Sequence, residues 1–407
     1  MNKTSARIDA RLGARIGMAT AIVLGAAASA MAQEPPYPTF SSSVDTSTFY
    51  IYTQNESSDD TQHAFASISP TMTLEWWDNA FLSSTFNITD YQPPGQDSFF
   101  QHEDLAVDDI NFFVTDWTWS GQVGKTTVPF GLAPSNAPGL FGSNFVGDYD
   151  FGGRIMVLGG YDFAQVLADG TAGSHNLVAG SFFVDTTFMS ATAFGEVDRT
   201  RKGDGGPGNT ESFDSFFVTY DASSVPVLPG GINYRLSYIY NAAGLGDTGH
   251  EEGYSVGAVV PVPLAGRSAL ESASGDYIAI NIVGEYAHFN NFGGVSGVDQ
   301  DYLTGGFEVV DGQWFATATT TTRWIDDPTN DETDHLYALS AGYNVNAAMS
   351  FQLGYAYQEI TGASSHMVGL QFSYNFNVTD YQSWWPNFGK PAYVLTNDQL
   401  LKNYRQD

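Results

Sequence analysis

The sequence predicts an all-β chain: a transmembrane antiparallel β-barrel of about sixteen strands behind an N-terminal signal peptide. Segments of about ten residues alternate apolar and polar side chains along most of the chain. Clusters of Gly, Asp, Asn and Pro separate these segments as turns do. Past the first thirty or so residues no window approaches the roughly 18 apolar residues that a spanning helix needs. A chain of this kind crosses a membrane with strands, closed on themselves so that no backbone group is left unpaired in lipid.

At the N-terminus, Lys3, Arg7, Arg11 and Arg15 precede an apolar run from Ile16 to about Ala28, which ends in Ala30-Met31-Ala32. This order is that of a secretory signal peptide, residues 1–32, cleaved after Ala32. The run is too short for a comfortable spanning helix, and Gln33-Glu34-Pro35-Pro36 cannot continue one. With no Cys at the junction, no lipidated precursor is expected. Residues 33–42 read as a short N-terminal segment ahead of the barrel, 43–376.

The whole chain carries 15 basic and 45 acidic residues; cleavage removes four of the former and one of the latter, leaving a net charge near −33. Such a chain repels nucleic acid. Aromatic residues make up 14%, which separates it from acidic disordered chains. The absence of cysteine excludes disulfide frameworks, thiolate zinc sites and cysteine nucleophiles together.

The alternation marks seventeen candidate strands: 43–55, 63–77, 79–90, 103–116, 117–128, 154–168, 174–185, 187–197, 213–222, 231–241, 254–264, 276–289, 299–310, 312–324, 334–345, 347–359 and 366–376. Single-chain barrels of this class hold an even number, so one candidate is expected to fail or merge. In the clearest segment Ile232, Tyr234, Leu236, Tyr238 and Tyr240 share one face, and Asn233, Arg235 and Ser237 the other. Trp314 and Trp324 lie on one face ten residues apart. At ~3.3 Å per residue and a tilt of about 40–45° their separation along the membrane normal is roughly 25 Å, the spacing of the two aromatic girdles of a barrel.

The longest stretch in this region without strand character is 129–153, and a loop of that length is usually functional. Alternation nominates Arg235, Glu285, Glu308 and Arg323 as lumen-facing charges, because a charge on the lipid face costs about 2–4 kcal/mol near the midplane when basic. The acidic stretches 55–60 and 326–334 read as solvated loops, without the spacing of a calcium loop. The seven His include no His-x-x-x-His pair, no Gly-x-Ser-x-Gly elbow is present, and Gly203-Asp204-Gly205-Gly206-Pro207-Gly208 lacks the Lys-Ser/Thr of a phosphate loop. No enzyme, resident metal or cofactor is expected.

The terminal alternating strand, Val368 to Phe376, resembles the last strand of the Gram-negative outer-membrane porins, which their insertion machinery reads. Gly121-Gln122-Val123-Gly124-Lys125-Thr126-Thr127-Val128-Pro129-Phe130-Gly131 is similar to the strand end that leads into a long loop in phosphate-selective-type and siderophore-type porins. The chain departs from the porin pattern in that a tail, 377–407 with Trp384 and Trp385, follows Phe376. The resemblance implies an outer-membrane location with 33–42 in the periplasm, contact with lipid, lipopolysaccharide and the barrel assembly machinery, a homotrimer, and passive passage of small hydrophilic solutes. It also implies that 129–153 folds inward as a constriction, with Asp148 and Asp150 near the pore and Arg154 at the following strand mouth, so that acids and bases on opposite walls set a transverse field. Preponderant acids point to cation preference. A channel specific for a siderophore, sugar or phosphate, and a structural barrel plugged by its tail, stay open as alternatives; a phosphate pore would want more than the few bases present.

Overall fold

The computed structural model describes residues 38–377, apart from 57, 78, 92–95, 117, 164–171, 229 and 264–277. The expected signal peptide and C-terminal tail lie outside the described residues. The strands are β1 (Thr39–Asn55), β2 (Thr61–Trp77), β3 (Ala80–Asp90), the two-residue β4 (Ser98–Phe99), β5 (Glu103–Thr115), β6 (Trp119–Thr126), β7 (Arg154–Asp162), β8 (Ser174–Val184), β9 (Ser215–Val225), β10 (Ile232–Asn241), β11 (Glu251–Pro263), β12 (Ile278–Asn290), β13 (Asp299–Asp311), β14 (Trp314–Asp327), β15 (Asn330–Asn344), β16 (Met349–Ile360) and β17 (Ala363–Asn377).

Sixteen of these pair antiparallel with their neighbours in chain order, and β17 closes on β1 from Ser43↔Asn377 to Asn55↔Ser365. The short β4 lies parallel to β2, beyond the point where β3 stops pairing with it. Closure leaves no free edge, which is the condition for strands to sit in lipid. Of the seventeen candidates, 187–197 is not a strand: it holds a short 3-10 turn, Phe188–Ser190, inside the β8–β9 connection. Its apparent alternation comes from a compact loop whose backbone bonds close on itself, as in Thr192 N to Val197 O at 3.1 Å. The acidic stretch 326–334 is likewise the tight β14–β15 hairpin rather than a loop, with Asp334 fully buried on the inner side. β1 starts at Thr39, four residues earlier than expected.

The outer face is apolar because alternate residues of each strand must meet lipid. Leu236 and Tyr238 on β10, Tyr254 and Val256 on β11, Leu353 and Tyr355 on β16, and Val368 and Leu370 on β17 are all exposed. Trp314 and Trp324 are 63% and 38% exposed on this face, ten residues apart on β14. Turns such as 312–313 and 345–348 mark one rim, on which both ends of the closed sheet also lie. The connections 91–102, 127–153, 185–214, 242–250 and 291–298 mark the other. Long loops on one side and mostly short turns on the other are the asymmetry of outer-membrane barrels.

The inner face departs from the polar lining that alternation implies. From β7 to β13, Met156, Leu158, Val178, Phe182, Phe217, Ile239, Ala287, Phe289 and Tyr302 point inward and are buried, packed with Val128, Phe130, Ala133, Val146, Tyr149 and Phe151 of the β6–β7 connection. A second cluster joins Phe141 and Phe145 of that connection to Leu336, Ala338, Ala356 and Met367. The hydrophobic core of this barrel is therefore a loop laid against about half of its wall. Excluding water there at about 25 cal/mol per Å² of apolar surface is what makes an inward loop stable.

Candidate functional site

The β6–β7 connection, 127–153, leaves the wall after Thr126 and is held along its length by inward side chains of successive strands. Thr219 on β9 donates to Pro129 O. Arg235 on β10 donates through Nη1 to Gly131 O at 2.8 Å and through Nε to Asp221 at 2.6 Å. Glu285 on β12, 3% exposed, accepts from Leu132 N, from Ala133 N at 3.1 Å and from Tyr149 Oη at 2.8 Å. Thr319 on β14 donates to Pro138 O at 2.6 Å, and Ser340 Oγ on β15 accepts from Leu140 N at 3.0 Å. Asp148 accepts from Tyr302 Oη at 2.9 Å and from Arg323 Nη1 at 2.6 Å, while Arg323 also grips Asp334 at 2.6 Å.

Local sequence explains the path. Pro129, Pro134 and Pro138 deny the segment a strand, and one helical turn, Ala133–Asn136, starts with Pro134 near its head, where a missing N–H costs nothing. The wall thins to meet the loop: a Cβ at Gly369 would stand 2.6 Å from Leu140 Cδ2, and one at Gly306 would stand 2.8 Å from Pro138 Cδ. Burial, then the neighbouring Glu285 charge, pushes the Tyr149 hydroxyl far up, so it stays a donor.

The opposite arc, β1 to β3 and β5, carries none of these polar anchors among the described residues. It presents hydroxyls, amides and acids: Ser47, Ser67, Ser69, Thr71, Thr85, Asn87, Asp108 and Asp109. The register slips between Thr85/Phe86 on β3, so β5 bulges at Asp108 and both acids turn inward. Asn87 reaches Ser67 Oγ at 3.4 Å and Ser69 Oγ at 3.3 Å and binds Asp108; Asp109 binds Thr126. Both carboxylates lie within electrostatic reach of Lys125 on β6 and, more weakly, of Asp150 on the loop.

The chain has the fold of an outer-membrane porin. Among solved structures it is similar to OprB of Pseudomonas putida, with TM-score 0.57 at 12% identity over 83% of this chain and 94% of that one. It is similar to OmpF of Salmonella typhi, with TM-score 0.57 at 10% identity over 83% and 98%, and to a loop-deletion mutant of Vibrio cholerae OmpT, with TM-score 0.51 at 12% identity over 83% and 99%. No family model and no curated protein sequence matches the chain.

The porin fold distributes the residues singled out from sequence into three groups. Asp148 and Arg323 come together in one ion pair, and Arg235 and Glu285 grip adjacent loop residues, Gly131 and Leu132. Arg235, 7% exposed, and Glu285 are covered by the loop and bond to its backbone. Arg154 sits half-buried at the start of β7, its guanidinium 6.0 Å from the Phe151 ring. Asp150 is exposed at the loop's end yet its carboxyl is partly enclosed by protein, and that desolvation pushes it up from the ordinary value. Glu308 is inward on β13, where it accepts from Asn281 Nδ2 at 3.2 Å. Arg235 is ion-paired to Asp221, and Arg323 to Asp148 and Asp334. Sequence reasoning missed Asp108 and Asp109. Their signal was present: an acidic doublet in Leu105-Ala106-Val107-Asp108-Asp109-Ile110 interrupts the alternation, as a bulge does.

Proposed function

We propose that this protein is an outer-membrane porin through which small hydrophilic solutes and ions diffuse passively, with a preference for cations. The carrying observation is a charge balance: Asp108 and Asp109 on the wall lie within electrostatic reach of Asp150 on the loop, while the bases Lys125, Arg235 and Arg323 are each held in an ion pair. Fixed carboxylates in a narrow, low-dielectric opening concentrate cations and exclude anions. In this reading the loop 127–153 is the constriction, and Glu285, Arg235, Thr319 and Ser340 set its position without touching the solute. Glu308 and Arg154 lie along the same inner face as further lining groups. The arc of hydroxyls and amides gives a hydrated solute hydrogen bonds to exchange for those of water.

The homotrimer, delivery by the barrel assembly machinery and contact with lipopolysaccharide belong to the same proposal, on the family resemblance. The test is single-channel conductance of the refolded protein in a planar bilayer, with reversal potential under a KCl gradient. Discrete ohmic steps with a cation-selective potential are expected. A folded, heat-modifiable barrel that passes no current would overturn the reading.

A further inference from the structure

The β8–β9 connection, 185–214, is the other long loop of the same rim. β5 pairs with β6 only over Ile110–Thr115, although it runs on to Glu103 beside β3, because β6 leaves the wall at Thr126. The β8–β9 loop fills the resulting notch. Ala193 N donates to Leu105 O at 2.8 Å, and fully buried Asp104 accepts from Phe194 N and Glu196 N at 2.8 Å each. A buried ion pair, Lys125 to Asp185 at 3.1 Å, and a bond from Lys125 Nζ to Met189 O at 2.7 Å pin the turn that follows β8. Lys125 stands on the face of β6 that carries Val123, 49% exposed, so this turn is held toward the lipid side of the rim.

What this frame leaves outside is unusual for a polar loop. Phe188 is 80% exposed and Phe194 41%. Arg199 Nε donates to Thr186 O at 2.7 Å and Thr200 N to Ser190 Oγ at 3.1 Å, which brings Arg199, Arg201 and Lys202, all exposed, beside the same turn. Nowhere else in this acidic chain do three basic residues fall within four positions. Of the nearby carboxylates, Glu196 meets His102 at 3.2 Å and Asp204 accepts from Arg201 N at 2.7 Å; Asp198 is the third. The rest of this rim carries outward aromatics on its strands, Tyr254 and Trp324 among them, and Phe216 stacked on Tyr240 at 5.3 Å. Over the arc where β6 and β7 stop short, the loop supplies them.

We propose that this loop docks a phosphate-bearing lipid of the outer leaflet, with Arg199, Arg201 and Lys202 on the headgroup phosphate and Phe188 and Phe194 among the acyl chains. Guanidinium groups match phosphate in charge and geometry, and the exposed rings continue the apolar belt of the barrel. The proposal rests on the membrane reading of the barrel but is independent of its conductance.

The test uses the full refolded barrel in nanodiscs doped with lipid A, compared with R199A/R201A/K202A. Retention of lipid A, read by native mass spectrometry, is expected to fall at least tenfold in the triple variant, with heat-modifiability and conductance unchanged and inorganic phosphate failing to compete. Competition by phosphate would assign a free-anion site and overturn the lipid assignment; undiminished retention would overturn the proposal outright. Because the chain has no cysteine, F188C can be spin-labelled alone. Its label is expected to be quenched by oxygen and shielded from a water-soluble nickel chelate. A label fully open to the chelate would place Phe188 at the pore mouth and refute the lipid contact even if the triple variant misfolds.

Discussion

The two longest described connections of the barrel, 127–153 and 185–214, spring from the same rim and meet opposite fates. The first turns inside and buries Phe130, Phe141, Phe145 and Tyr149; the second stays on the rim with Phe188 and Arg199 exposed. Each is held by a buried polar anchor, Glu285 on β12 for the first and the Lys125–Asp185 pair for the second. What separates them is the surface that each finds. The inward loop meets a wall that is apolar or glycine-thinned beneath it, with hydroxyls spaced to catch its proline carbonyls. The rim loop meets a notch one strand wide and bonds to its backbone edge. Inward folding is thus a property of the pair of surfaces, and loop length alone does not decide it.

The sharpest way to break this contrast is to remove the anchor of the inward loop. E285A leaves Leu132 N, Ala133 N and the Tyr149 hydroxyl without their acceptor in a buried site, at about 1–3 kcal/mol for each orphaned donor. The loop is expected to loosen, with conductance rising and open-channel noise appearing in single-channel records. An unchanged, quiet conductance would mean that the apolar packing holds the loop by itself. Next in size, D108N/D109N should move the reversal potential under a KCl gradient most of the way toward zero. The effect should be strongest at low ionic strength, where screening is weak. A comparable shift from D148N would contradict the assignment, since Asp148 is already engaged by Arg323 and Tyr302.

A smaller effect is expected from pH. Burial raises the Asp150 carboxyl, so the folded protein holds this proton more tightly than the unfolded chain does. Between the ordinary aspartate value and the raised one, stability contributed by this group falls as pH rises, and cation preference falls as pH drops. D150N should stabilise the loop slightly at neutral pH and remove that part of the selectivity titration, as seen in reversal potentials taken from pH 7 downward. The mildest change, T319V, deletes the single bond to Pro138 O. About 1 kcal/mol of loop anchoring should be lost, visible as a small rise in noise without a selectivity change.

Alternation located the sixteen barrel strands because lipid on one side imposes period two whatever the lumen does, and Leu236, Tyr238, Leu353 and Leu370 obey it. The false strand at 187–197 arose because a compact loop can alternate by chance, and nothing in its composition shows that Asp104 and Leu105 hold it at a strand edge. Asp148 and Asp150 were legible as charges in a long loop, and Arg323 as an inward charge on an alternating strand. That Arg235 and Glu285 clamp the loop was not, since residues 104 and 153 positions away supply their partners.

By itself the sequence determined the barrel, its strand spacing and its acidic balance, all of which follow from local periodicity and composition. Only the tertiary structure decided which way each long loop turns and which charges are spent on holding it. Closing sixteen strands brings Thr319, Ser340 and Tyr302 against residues 138–148, and no pattern along the chain records contacts made across the lumen.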